Sequence, residues 1–180
     1  FVYGGYITVY RGAIEMGHAL DYLNEYPNSK LELAGSFSPE SLLNQVQAFP
    51  GWAKIGYHGH VNREKMANLL GGARAGLVLF HPLPNHIDAQ PNKMFEYMSA
   101  GIPIIVSNFP LWRKIVEEAD CGLVANPLDP QDIARAMKWI LDHPEEAARM
   151  GERGRQAVVD VYNWEKEGQK LVSLYKRLLL

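Results

Sequence analysis

The chain has 180 residues, 47% of them hydrophobic, which is enough for one sizeable hydrophobic core. A formal net charge of −2 and a pI of about 6.3 exclude a global field that recruits nucleic acid or anionic lipid, so an anion needs a local site. The single cysteine, Cys121, excludes an internal disulfide and a thiolate zinc cluster, and no apolar run approaches the roughly 20 residues that span a bilayer.

Short apolar runs rich in β-branched and aromatic residues alternate with longer segments of helical period. This alternation is typical of βα units that build a parallel sheet. The apolar run that begins at Phe1 has neither the features of a signal peptide nor an initiating Met, so we expect this chain to be a piece of a longer protein. The predicted strands are Phe1–Ile7, Lys30–Ala34, Ala53–His58, Gly76–Phe80, Pro103–Ser107 and Gly122–Ala125.

Helices are predicted between these strands and after them. The first has Ile14, His18, Leu20 and Leu23 on one face. In the C-terminal third, prolines near the first turn mark two helix starts. The remaining predicted helices are Pro39–Gln47, Arg63–Leu70, Pro91–Ala100, Pro110–Glu118, Pro130–Leu141, Pro144–Val161 and Trp164–Leu180.

These elements predict an α/β fold in which helices flank a parallel sheet of about six strands, with extra helices at the C-terminus. No repeat or linker interrupts the pattern, so we expect one domain over residues 1–180. In a doubly wound sheet, ligands bind at the carboxyl ends of the strands. The loops to consider are therefore 4–12, 35–39, 59–62 and 81–91, of which the last exceeds the usual length of about 2–6 residues.

The first of these loops combines a glycine pair with a basic residue near the start of a helix. Gly5 permits close backbone approach, the helix start exposes unpaired N–H groups, and Arg11 can meet a phosphate with two hydrogen bonds. The alternative is an ordinary tight turn with a solvated arginine, which the spacing alone favours. The loop lacks both G-x-G-x-x-G and the Walker A pattern, which disfavours dinucleotide and P-loop sites.

The long fourth loop leads into a helix and sets two acids, Asp88 and Glu96, eight positions apart. Pro91 suits the first helical position, so Asn92 and Lys93 lie at a helix N-terminus, where the dipole and free amides favour an anion. Glu96 would repel a phosphate and is better suited to accept hydrogen bonds from sugar or ribose hydroxyls. The alternative is a helix that carries ordinary surface acids.

The segment PNKMFEYMSAGIPIIVS, residues 91–107, resembles the signature of the retaining glycosyltransferases of group one, which have the GT-B fold. In that family, two acids separated by seven residues precede a helix and then Ala-Gly-x-Pro-Val-Ile. Further similarities follow in the family's order: Arg11-Gly12, Leu33-Ala34-Gly35, Tyr57–Val61, Cys121–Val124 and Tyr162–Trp164. The resemblance covers essentially the whole chain and implies a Rossmann-like, C-terminal donor-binding domain.

The resemblance also implies roles for individual residues. Arg11 corresponds to the family's Lys, which contacts the donor diphosphate, and Glu96 to the second acid, which binds the ribose hydroxyls. Asp88 stands where the family has its first Glu, near the transferred sugar, and the backbone around Lys93 and Met94 would meet phosphate. We expect Asp88, Arg11 and Lys93 to be catalytic. The other expected substrate-binding positions, which include the 59–61 loop beside the base, are Gly5, Tyr6, Gly12, Gly35, His60, Val61 and Asn92.

Three positions depart from the family pattern. Tyr6 stands where the family has an Arg of the diphosphate site, and Lys93 is a candidate to replace that cation. Asp88 is one carbon shorter than the family's Glu, which bears on the sugar contact. Pro91 stands where many members have Gly, and it removes one backbone donor from the loop.

We expect neither a metal nor a cofactor. The His58-Gly-His60 pair lacks further acids, and such a pair is seldom a metal site; His81 and His86 lie on the long loop with Asp88. GT-B enzymes that resemble this chain need no metal for donor binding. The nucleotide sugar, of the UDP or GDP type, is a substrate.

The predicted function is therefore donor binding for retaining glycosyl transfer to a glycan or glycolipid acceptor held by a missing N-terminal domain. Two alternatives remain, a nucleotide-sugar 2-epimerase of the same fold, whose acid and base set is not found, and a non-catalytic Rossmann-like interaction domain, which Tyr6 and Asp88 keep open. We expect the isolated chain to be inactive. The resemblance implies a cytoplasmic enzyme of carbohydrate biosynthesis, whose full-length relatives often work at the inner membrane face.

Overall fold

The computed structural model describes residues 1–179 and contains one parallel sheet of six strands in the order β3-β2-β1-β4-β5-β6. This order, in which the chain builds outward from β1 and then from β4, is that of a doubly wound sheet. The predicted α/β class and six-stranded parallel sheet are confirmed. The strands are β1 Val2–Gly4, β2 Leu31–Ala34, β3 Ile55–Gly59, β4 Gly76–Val78, β5 Ile104–Ser107 and β6 Gly122–Ala125.

Helices cover both faces of this sheet. The central strand β4 and the residues after it are apolar because both faces are buried: Leu77 and Leu79 belong to one core, whereas Val78 and Phe80 belong to the other. Helices α1 and α7 pack on the first side and α5 and α6 on the second, and α8 contributes to both cores. The helices are α1 Ala13–Ala19, α2 Ser41–Gln47, α3 Arg63–Gly71, α4 Pro84–Ile87, α5 Asn92–Ser99, α6 Pro110–Ala119, α7 Pro130–Asp142, α8 Pro144–Asp160 and α9 Trp164–Leu179.

Several predicted boundaries differ from those of the structure. Strand β1 ends at Gly4, because Gly5 turns the chain with φ 117°, and Ile7 makes only an isolated bridge to Phe37. The long loop contains the short helix α4, which the sequence did not predict. Pro91 is not the first helical residue, since its ψ of 130° is extended, and α5 begins one residue later. The predicted end of the last helix, Leu180, lies outside the described residues.

Two close approaches bring the loops at the carboxyl edge together. A Cβ on Gly35, whose φ is 143°, would lie 1.9 Å from Gly5 O, so the loops after β1 and β2 touch through their backbones. Tyr97 of α5 crosses Gly76, where a Cβ would lie 2.1 Å from the ring, and its hydroxyl accepts a hydrogen bond of 2.8 Å from Gly4 N. Helix α5 is therefore fixed against the end of β1.

Within residues 1–179, no helix combines the length and the apolar character that are needed to cross a membrane.

Replacing Tyr97 by Phe is expected to lower the free energy of unfolding by about 1–3 kcal/mol, because Gly4 N loses its acceptor inside the protein. Urea unfolding measures this loss. Tyr175→Phe on the exposed side of α9 is the matched control and should leave stability unchanged. Equal stability of wild type and Tyr97→Phe would show that the hydroxyl does not tie α5 to β1.

Candidate functional site

A cleft of about 410 Å³ opens at the carboxyl ends of β1, β2 and β3, beside the reversal of strand order between β1 and β4. Crevices at this position of a doubly wound sheet are where ligands bind. Arg63 and Met66 of α3 and Tyr97 of α5 complete its walls. Six residues predicted for the site line it: Gly5, Tyr6, Gly35, His60, Val61 and Glu96.

Beneath this cleft the fold brings two cations together. Lys93 Nζ lies 3.9 Å from the centroid of the Tyr3 ring and 5.3 Å from that of Phe80. The Arg11 guanidinium lies 5.3 Å from the same Phe80 ring. A Cβ on Gly5 would stand 3.3 Å from Lys93 Nζ, so only the bare glycine backbone separates the amine from the cleft. Residues from β1, the loop after it, the end of β4 and α5 thus converge on one point.

The Lys93 amine is buried and has no hydrogen-bond partner within residues 1–179. Burial and, to a smaller extent, the nearby Arg11 charge lower the pKa of Lys93 from its ordinary value of 10.5 to about 7, although Glu96 opposes the shift. Buried donors in folded proteins are normally satisfied. A bound anion would supply the partner that this amine lacks.

Two buried tyrosines hold the backbone around this cluster. The Tyr3 hydroxyl donates to Tyr6 O at 2.7 Å, and Tyr97 accepts from Gly4 N. Burial raises the pKa of both phenols, against the effect of Arg11 on Tyr3, so both remain neutral. The sequence analysis missed these residues and Phe80. The available signal was spacing, because Tyr97 lies four positions after Lys93 on the same helix.

Free backbone donors remain at the start of α5. The N–H of Met94 donates to Pro91 O at 3.0 Å, and the Met94 side chain is buried in the core. The amide of Met94 therefore already has an acceptor, whereas the resemblance implied that the backbone here would contact phosphate. The amides of Asn92 and Lys93 have no backbone acceptor within the described residues 1–179. They join the Lys93 amine as candidate anion donors.

Six predicted residues do not line the cleft: Arg11, Lys93 and Met94, described above, and Asp88, Gly12 and Asn92. Asp88 is an exposed residue at the end of α4 and does not line the cleft. Gly12 is buried, and a Cβ on it would lie 2.3 Å from Leu79 O, so it serves close packing of the first loop on β4. The exposed Asn92 side chain lines a neighbouring groove, which shares Glu96 with the cleft.

The long loop before α5 is anchored to its surroundings. Trp112 Nε1 donates to Ala89 O at 2.6 Å, and His81 N donates to Tyr10 O at 2.9 Å. The His81 ring lies 3.1 Å from the carboxylate of Glu15 on α1. These contacts join the long loop to the first loop and hold Tyr10, the neighbour of Arg11, in place. No sequence pattern indicated the pairing between His81 and Glu15.

The two histidines considered as metal ligands, His58 and His60, line different clefts. His58 Nε2 lies 2.6 Å from Glu32 Oε2, and both line a cleft of about 690 Å³ that also includes Phe1 and Lys30 at the amino ends of the strands. His60 lines the cleft at the carboxyl edge. Within residues 1–179, no group of three or more His, Cys, Asp or Glu is arranged to hold a metal.

Comparisons with known proteins agree with this architecture. The model of the family described as glycosyl transferases group 1 matches residues 1–157. The MMP alpha-(1->4)-mannosyltransferase of Mycolicibacterium hassiacum is 23% identical over 171 residues, which are 94% of this chain and 40% of that protein.

Solved structures show the same fold. Sucrose-phosphate synthase from Thermosynechococcus elongatus has a TM-score of 0.80 at 22% identity, over 99% of this chain and 45% of that chain. Anabaena Alr3699/HepE, solved in complex with UDP, has a TM-score of 0.79 at 15% identity, over 98% of this chain and 49% of that chain. The chain therefore spans less than half the length of these three similar proteins.

Between pH 7 and pH 9, Lys93 is expected to make the free energy of unfolding rise with pH. The unfolded chain keeps this side chain protonated up to about pH 10.5, whereas the folded chain releases the proton above about pH 7. The unfolded state then binds more protons, and stability increases with pH. Urea unfolding at both pH values should show the increase in wild type and in Lys166→Met, an exposed control. An equal increase in Lys93→Met would contradict the assignment.

Proposed function

The chain belongs to the glycosyl transferases group 1 family, and on that premise we propose that its cleft binds a nucleotide-diphosphate sugar as the donor for glycosyl transfer. The observation that carries the proposal is a pair of basic groups, Arg11 and Lys93, beside Gly5, which lines a cleft at the carboxyl edge. A buried amine without a partner, beside a guanidinium, needs an anion. A diphosphate is an anion of suitable size and charge.

The diphosphate is both the anchor of the donor and the leaving group of the reaction. When the bond between the anomeric carbon and the diphosphate oxygen breaks, negative charge develops on the phosphate, and preorganised cations and amides stabilise it. Arg11, the Lys93 amine and the amides that begin α5 are suited to this role. Lys93 thus takes over from the arginine that the family has at the position of Tyr6.

The nucleoside is assigned to the rest of the cleft. Glu96 is exposed on its wall, where a carboxylate accepts hydrogen bonds from the ribose hydroxyls. His60 and Val61 lie on the loop after β3 and would flank the base. Anabaena HepE, which shares the fold, has been solved with UDP and with UDP-glucose, which supports a uridine nucleotide here.

Transfer itself extends the proposal to the longer protein. An acceptor hydroxyl forms the new bond to the anomeric carbon and loses its proton while the nucleoside diphosphate departs. We assign the acceptor, a glycan or glycolipid, to chain beyond these residues, and retention to the resemblance of the 88–107 segment. Asp88 is left out of the donor contacts because it neither lines the cleft nor joins Arg11 and Lys93 at the Phe80 ring.

Calorimetric titration with UDP and GDP tests the proposal. We expect binding of at least one, weakened about ten-fold or more by Arg11→Ala or Lys93→Ala, since a hydrogen bond to a charged group contributes about 1.5–3 kcal/mol. Lys166→Ala, an exposed control on α9, should bind like wild type. No binding of either nucleotide by wild type would refute the proposal and support a non-catalytic interaction domain.

Glu96→Gln separates the ribose contact from the phosphate contact. We expect UDP binding to weaken, because an amide is a poorer acceptor for hydroxyls, whereas inorganic pyrophosphate should bind as to wild type. Glu152→Gln, an exposed site on α8, is the matched control. An equal loss for UDP and pyrophosphate in Glu96→Gln would place Glu96 at the diphosphate instead.

A further inference from the structure

The surroundings of the Lys93 amine raise the free energy of its charged form when the site is empty. It is buried, it lies over the Tyr3 ring at 3.9 Å, and it has no hydrogen-bond partner within residues 1–179. No hydrogen-bond acceptor replaces the hydration that an ammonium loses there, and the faces of the Tyr3 and Phe80 rings replace only part of it, whereas a neutral amine loses much less. The geometry therefore favours the neutral form until an anion arrives.

The charged and titratable groups around Lys93 come from each element packed against it. Arg11, from the loop after β1, is a permanent cation and disfavours a second charge. Tyr3 of β1 and Tyr97 of α5 stay neutral because burial raises the pKa of each phenol. Glu96 of α5 favours the ammonium but lies on the exposed wall, and Phe80 after β4 carries no charge. Burial and Arg11 outweigh Glu96.

We propose that above neutral pH Lys93 is uncharged in the empty site and takes up a proton when a diphosphate binds, so that donor binding is coupled to proton uptake. The inference rests on the proposed function, since it requires a diphosphate in this cleft. The proton comes from solvent and adds to the amine nitrogen, and no bond of the ligand is made or broken. Gly5 lines the cleft and lies against the amine, since a Cβ on it would stand 3.3 Å from Lys93 Nζ.

This coupling sets the direction of the pH dependence. With a pKa of about 7 in the empty site, Lys93 is largely charged at pH 6, and binding needs no proton there. Above pH 7, binding must protonate the amine, so affinity falls by up to about ten-fold per pH unit until the pKa of the complex is reached. Binding is therefore tight at low pH, and at higher pH a proton is released when the nucleotide departs.

The test measures proton uptake directly. Calorimetric titrations with UDP-glucose and GDP-mannose are run in two buffers of different ionisation enthalpy, at pH 6 and pH 8.5. These diphosphate diesters are chosen because a phosphate monoester itself titrates at about pH 6. We expect close to one proton taken up at pH 8.5 and few at pH 6, with a dissociation constant at least about ten-fold larger at pH 8.5.

Variants assign the proton to Lys93. Lys93→Arg keeps a permanent charge and should bind without proton uptake, with an affinity independent of pH over this range. Lys93→Met should bind weakly at both pH values, also without uptake. His60→Gln removes the imidazole on the cleft wall, and the proton uptake per bound nucleotide should equal that of wild type whatever the effect of this change on affinity.

The outcomes separate this inference from the function on which it rests. Binding by wild type with no proton uptake at pH 8.5 overturns the inference and leaves the proposed function intact. Loss of the uptake in His60→Gln, with its retention in Lys93→Met, also overturns it. No binding of either nucleotide sugar at any pH overturns the proposed function and the inference together. If Lys93→Arg does not fold, the proton uptake measured for wild type at pH 8.5 still decides whether the inference holds.

Discussion

A buried lysine amine without a partner is the constraint around which the carboxyl edge of this sheet is arranged. Placing Lys93 between Tyr3 and Phe80 removes it from water, and Arg11 nearby makes its charge less favourable still. Such an arrangement lowers the stability of the folded chain at neutral pH. An anion in the adjacent cleft reverses the balance, because it satisfies a donor that is otherwise left without an acceptor.

The fold produces this arrangement through backbone contacts that leave little freedom. The strand order sets β1 beside β4, which brings the ends of both strands to the same place. Gly35 closes on Gly5, and Tyr97 ties α5 to Gly4, so the helix that carries Lys93 is fixed against the first loop. A site with this degree of support is preorganised, and little rearrangement is needed when a ligand binds.

The positions of Tyr6, Lys93 and Asp88 in the structure bear on the departures from the family pattern. Tyr6 offers no cation and its side chain is 65% exposed, so the second charge must come from elsewhere. Lys93 reaches the same region from α5, behind the glycine pair. Asp88, shorter than the family's Glu, lies outside the cleft wall. On the proposed function, the diphosphate site is kept while the residues that compose it have changed.

The sequence by itself determined the fold class, six strands near their observed positions, and the family, because alternating apolar runs and the 91–107 segment are local signals. It also placed Arg11, Lys93 and Glu96 at one sheet edge, since residues that follow parallel strands share that edge. Only the tertiary structure decided that Lys93 is buried over Tyr3, that the Met94 amide is engaged, and that Gly12 packs on Leu79. Those facts depend on how side chains and loops from distant segments fill one space, and no local pattern encodes that packing.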